Sequence, residues 1–127
     1  MTPKRILIID DEETIQTVVQ FGIQMQAGWQ VLSASSGLQG IQAAQVEQPD
    51  VILLDVMMPE MDGIATFKQL QSDPKTQQIP VIFLTAKAQA VEKRQFNELG
   101  VSGIITKPFN SLDLPDQIAR ILCWSLP

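Results

Sequence analysis

Several short stretches of this chain place reactive side chains directly after apolar runs. Asp10 and Asp11 follow the run 6–9, Asp55 follows 51–54, Thr85 follows 81–84, and Lys107 follows 103–106. Three carboxylates drawn together repel one another and are costly to desolvate. A hard cation among them removes the difficulty, and oxygen ligands of this kind suit Mg²⁺. Lys107 adds a compact positive charge able to grip a phosphate oxygen, and Thr85 offers a hydroxyl to another. The chemistry that uses such parts is phosphoryl transfer onto a carboxylate oxygen, with cation and lysine neutralising charge while an aspartate attacks in line. Asp55 is the best nucleophile candidate because it stands alone at the end of its run. Asp10 and Asp11 are then metal ligands, the first through water. Taken singly, each residue has a blander reading. An acidic pair often only opens a helix, where negative charge is favoured, an aspartate can sit in a turn, and a lysine is usually a solvated charge. Their joint placement favours a cation and phosphate site.

These residues need a scaffold that brings distant strand ends together. The apolar runs are solid rather than alternating, as expected of strands covered on both faces. Between them lie helical patterns: Ile15, Val18, Val19, Gly22 and Met25; then Leu38, Ile41 and Ala44 behind a cap at Ser35 or Ser36; then Ile64, Phe67 and Leu70; then Val91, Gln95 and Leu99; and finally Leu114, Ile118, Ile121 and Leu122. Gly28 and Gly100 mark stops, and Pro115 is tolerable only near a helix start. A short strand is expected around 31–33. Five strands alternating with five helices call for one parallel sheet with helices on both faces, whose active crevice lies at the carboxyl ends of the strands.

Composition narrows the function further. The 127 residues suit one domain, read here as 1–127 with its core at about 4–122 and no output domain. Nine basic against 14 acidic side chains give a charge of -5, which argues against direct nucleic-acid contact. The absence of histidine excludes a histidine nucleophile or base, the usual catalytic zinc sets, and any phosphohistidine carried by the chain itself. Cys123 is the single cysteine, so an internal disulfide is impossible. The first apolar run is far too short for a membrane span, and a cytoplasmic protein is expected. No Gly-rich phosphate loop occurs, which disfavours nucleotide binding.

Four motifs, in order and at family spacing, resemble the receiver domain of two-component response regulators, especially the single-domain chemotaxis type. They are Ile6-Leu7-Ile8-Ile9-Asp10-Asp11-Glu12, Asp55-Val56-Met57-Met58-Pro59-Glu60-Met61-Asp62-Gly63, Leu84-Thr85-Ala86-Lys87 and Lys107-Pro108-Phe109. The resemblance implies a flavodoxin-like (βα)₅ three-layer fold with strand order 2-1-3-4-5. It implies Asp55 as phosphoacceptor, and Asp10, Asp11, Asp55 and the Met57 carbonyl as the Mg²⁺ site, with Mn²⁺ able to substitute. Thr85, Ala86 and Lys107 would surround the phosphoryl group, while Pro59, Gly63 and Pro108 would shape loops. The family commonly has a cis bond at the Lys107-Pro108 position.

The implied donor is a sensor histidine kinase or a histidine phosphotransfer protein. The face formed by the fourth helix, fifth strand and fifth helix would serve a target protein or a homodimer. The protein would catalyse its own phosphorylation and hydrolysis rather than act as an ordinary turnover enzyme. Two departures stand out. Met57 and Lys87 occupy positions that flank the attacking water in the family, and Met57 has no group to orient it. Ile104 stands where many members carry an aromatic switch ring. The rivals are a non-phosphorylated pseudo-receiver acting as an interaction module, and a flavodoxin-like cofactor-binding protein.

Overall fold

The computed structural model describes residues 3–86 and 89–126. Its strands are β1 (Arg5–Ile9), β2 (Gln30–Ala34), β3 (Val51–Asp55), β4 (Val81–Thr85) and β5 (Gly103–Thr106). The helices between and after them are α1 (Glu13–Ala27), α2 (Gly37–Glu47), α3 (Gly63–Ser72), α4 (Ala90–Leu99) and α5 (Leu114–Leu122), with a 3₁₀ turn at Ser111–Asp113 ahead of α5. All strand pairs are parallel, in the order β2-β1-β3-β4-β5. This is the flavodoxin-like order expected, and it places β3, with Asp55 at its end, in the middle of the sheet.

The solid apolar runs are explained by the two cores they serve. Ile6 and Ile8 join Leu53, Ile82 and Leu84 beneath α1 and α5, whereas Leu7 and Ile9 join Ile52, Leu54 and Phe83 beneath α2, α3 and α4. Successive strand side chains point to opposite faces, so a strand covered on both sides must be apolar at every position. Local chemistry then sets the helix ends. Ser36 accepts from the Gln39 N–H at 3.1 Å, resolving the choice between two serines. Gly28 closes α1 with φ at 69°, a left-handed conformation that favours glycine.

Two helices turn differently from the sequence reading. In α1 the buried positions are Val19, Gly22 and Ile23, while Val18 and Met25 are exposed. In α4 the buried residue is Phe96, and Val91 is exposed. In both helices the apolar residues spread beyond the strip that meets the sheet. The face chosen is therefore the one whose side chains fit the strand below: Phe96 meets Phe83 edge-on, with ring centroids 5.1 Å apart. Leu38 of α2 is likewise exposed, and Gly37, Gly40, Ile41 and Ala44 form that helix's buried side. None of the described helices is long and apolar enough to cross a membrane.

Candidate functional site

The site stands at the carboxyl edge of β1, β3, β4 and β5. Asp10 leaves β1 fully buried, and its backbone N–H bonds the Ala34 carbonyl at 3.1 Å. Its Oδ1 accepts from the Glu12 N–H at 2.9 Å, which turns the chain into α1 and leaves Asp11 exposed beside it. Asp55, also buried, accepts the Met57 N–H on Oδ1 at 3.3 Å. Lys107 reaches in from the end of β5. Its Nζ donates to Asp10 Oδ2 at 3.1 Å and to Asp55 Oδ1 at 3.2 Å. Its backbone N–H bonds the Thr85 carbonyl at 2.8 Å, which ties the ends of β4 and β5 together.

Loop geometry follows from small residues and caps. A Cβ on Gly63 would fall against the Asp55 carbonyl and within 2.7 Å of Val56 Cα, so only glycine lets α3 start directly behind β3. Asp62 caps α3 by accepting the Ala65 N–H at 2.8 Å. Pro59 is an exposed part of that loop, and the Lys107-Pro108 bond is cis. Thr85 is buried at the end of β4, and Ala86 after it is exposed. Lys87 lies outside the described residues. Ile104 is half-buried opposite Phe83, packed against the core beneath α4.

Charge in the site is unbalanced. Asp10, Asp11 and Asp55 each present a carboxylate oxygen, and these oxygens lie within 4.8 Å of one another. Burial, then the neighbouring Asp10 charge, push the Asp55 carboxyl above its ordinary pKa, although Lys107 pulls the other way. Burial works against the Lys107 ammonium, but its bond and attraction to Asp10, followed by those to Asp55, outweigh it and raise that pKa. One ammonium shared by two buried carboxylates, with a third at the rim, is a donor set that suits a hard divalent cation.

Gln16 was not anticipated from the sequence. Its side-chain amide donates to the Asp10 carbonyl at 2.7 Å and to Ser35 Oγ at 3.2 Å, fastening α1 and the β2–α2 connection to the acidic turn. Its position, six residues beyond Asp10 on the first turn of a helix, was the available signal.

The response regulator receiver domain family matches residues 6–119 of the chain. The transcriptional regulatory protein PhoP for alkaline phosphatase synthesis in Bacillus subtilis is 39% identical over 119 residues, covering 94% of this chain and 48% of that protein. The DNA-binding master transcriptional regulator RpaA of Synechocystis is 40% identical over 117 residues, covering 92% of this chain and 47% of that one. The chain thus spans about half the length of these curated relatives. Among solved structures, the chemotaxis response regulator CheY4 of Vibrio cholerae superposes with a TM-score of 0.87 at 29% identity, covering 94% of this chain and 99% of that one.

Proposed function

The chain belongs to the response regulator receiver family of two-component signalling, and we propose that Asp55 is its phosphoacceptor. The observation that carries this reading is the Lys107 ammonium, hydrogen-bonded to both Asp55 and the buried Asp10 at the end of the central strand. The Met57 N–H and the Lys107 ammonium both reach the Asp55 carboxylate on Oδ1. An oxygen of the Asp55 carboxylate is the attacking atom. It forms the new O–P bond as the P–N bond of a phosphohistidine breaks, and the imidazole nitrogen leaves with the electron pair and takes up a proton. The lysine meets the incoming phosphoryl oxygens from the same side, and Thr85 offers them its hydroxyl.

Asp10, Asp11, Asp55 and the Met57 carbonyl would hold Mg²⁺. When bound, the cation neutralises charge between the acceptor and the incoming group. The donor is a histidine kinase or phosphotransfer protein, since a chain without histidine takes its phosphate from outside. This acidic domain itself is not assigned a nucleic-acid surface, although relatives twice its length are named as transcription regulators. The reading includes a cytoplasmic location, where such donors present their phosphohistidine.

Incubation with acetyl phosphate and Mg²⁺, followed by intact-mass measurement, tests the assignment. One added phosphoryl group is expected, lost in Asp55→Ala and on chelation of the metal. Uptake that persists in Asp55→Ala overturns it.

A further inference from the structure

The middle of α1 holds a glycine for a steric reason. Gly22 is buried within the helix, where glycine is disfavoured relative to residues with a side chain. A Cβ at this position would land on the Ser111 carbonyl oxygen, 2.5 Å from the carbonyl carbon and 2.7 Å from Ser111 Cβ. Two of these three obstacles are backbone atoms, which cannot step aside by changing rotamer. The bare face of α1 is therefore the seat for the 3₁₀ turn Ser111–Asp113. That turn is closed on its own side by Asn110, whose Oδ1 accepts the Leu112 N–H at 3.0 Å and whose carbonyl accepts the Asp113 N–H at 2.9 Å.

The seated segment is the same one that delivers Lys107. Three residues separate Lys107 from Ser111, and Phe109 among them packs against the core shared by α1 and α5. At the other end, the Lys107 backbone is held by Thr85. The β5–α5 connection is thus pinned at β4, at Phe109 and at Gly22. We infer that Gly22 is a positioning residue: by letting Ser111 lie directly on α1, it sets the reach of Lys107 to Asp10 and Asp55. This rests on the phosphoacceptor reading only for its catalytic consequence. The geometric consequence stands separately.

The test uses Gly22→Ala, which lifts the turn from its seat, and Asn110→Ala, which loosens the same turn without touching α1. In metal-free protein, both are expected to shift the Lys107 side-chain ammonium signal in NMR spectra. Under acetyl phosphate and Mg²⁺, both are expected to slow phosphorylation by about tenfold, as small misplacements of a reacting group do. In a Lys107→Ala background, neither should slow it further, because coupled residues are non-additive. Gly40→Ala is the control, since the three atoms nearest its Cβ would all belong to the Ile9 side chain, in the core beneath α2, α3 and α4. It should cost stability and leave the Lys107 signal in place. A Lys107 signal unmoved in both test variants overturns the inference, and so does slowing that persists once Lys107 is gone. If the parent protein takes no phosphate at all, the acceptor reading falls while the NMR comparison still decides the role of Gly22.

Discussion

The two ends of the sheet are built on opposite electrostatic terms. At the carboxyl end, Asp10 and Asp55 are buried against a single ammonium, with Asp11 beside them. At the amino end, Arg5 pairs with Glu47 at 2.8 Å, both partly exposed, and Asp50 accepts the Arg5 N–H at 2.8 Å. Trp29 and Trp124 meet edge-on there with centroids 5.6 Å apart, and the Lys4 ammonium sits 4.5 Å from the Trp124 ring. The amino end matches charge with charge and buries aromatic surface. The carboxyl end concentrates like charge where water is scarce, which opposes folding. The difference separates residues that hold the fold from residues that the fold must restrain.

The largest expected effect lies at the amino end. Trp29→Ala removes a nearly fully buried ring and should cost about 3–5 kcal/mol in denaturant unfolding. Metal affinity of the remaining folded protein should be unchanged. A parallel loss of affinity would show that the two ends are not independent.

At the carboxyl end, substitution should work in the opposite direction. Folded Asp55 has a carboxyl pKa raised above 3.8, so the folded state holds its proton to higher pH than the unfolded chain does. Its favourable contribution is fully present below the unfolded value and is lost as pH rises through the folded one. Asp55→Asn should therefore be the more stable protein at neutral pH without metal, by on the order of 1 kcal/mol. The gap should close toward acid pH. Added Mg²⁺ should stabilise the parent more than the variant. Thermal melts across pH, with and without metal, check each part. A variant less stable than the parent at neutral pH would show that the bonds to Lys107 outweigh the repulsion.

A smaller effect is expected at the rim. The Met57 side chain is largely exposed, while its N–H bonds Asp55. It offers no amide or carboxylate to orient a water molecule. Met57→Asn should speed loss of the acyl phosphate by about threefold to tenfold, less than 1.4 kcal/mol of barrier. Timed mass measurements on purified phosphoprotein check it, and an unchanged rate removes the methionine from the account.

The smallest effect concerns how far the carboxyl end communicates. Ile104 supplies no ring to move, and α4 is anchored by Phe96 against Phe83. A beryllofluoride mimic should shift amides strongly near Asp55, Thr85 and Lys107 but modestly along Ala90–Leu99. Large cooperative shifts along α4 would show that the site reaches that face by another route.

The sequence alone made the architecture legible, because a parallel strand covered on both faces leaves an unbroken apolar run. Such runs at residues 6–9, 51–54 and 81–84 announced the three central strands. The candidate site residues were legible too, because Asp10, Asp55, Thr85 and Lys107 each follow such a run, and the four motifs around them carried the family resemblance. Helix facing was harder to read. Val18, Met25 and Val91 fit an apolar pattern as well as Ile23 and Phe96 do, and only the shape of the strand surface beneath selects among them. Two other features are contacts between segments far apart in the chain: the Lys107 bridge between Asp10 and Asp55, and the seat of Ser111 on Gly22. A sequence specifies which groups exist and which way a short segment tends to bend. Distances of a few ångströms between remote groups are decided only when both cores close around the sheet and the strand ends arrive together.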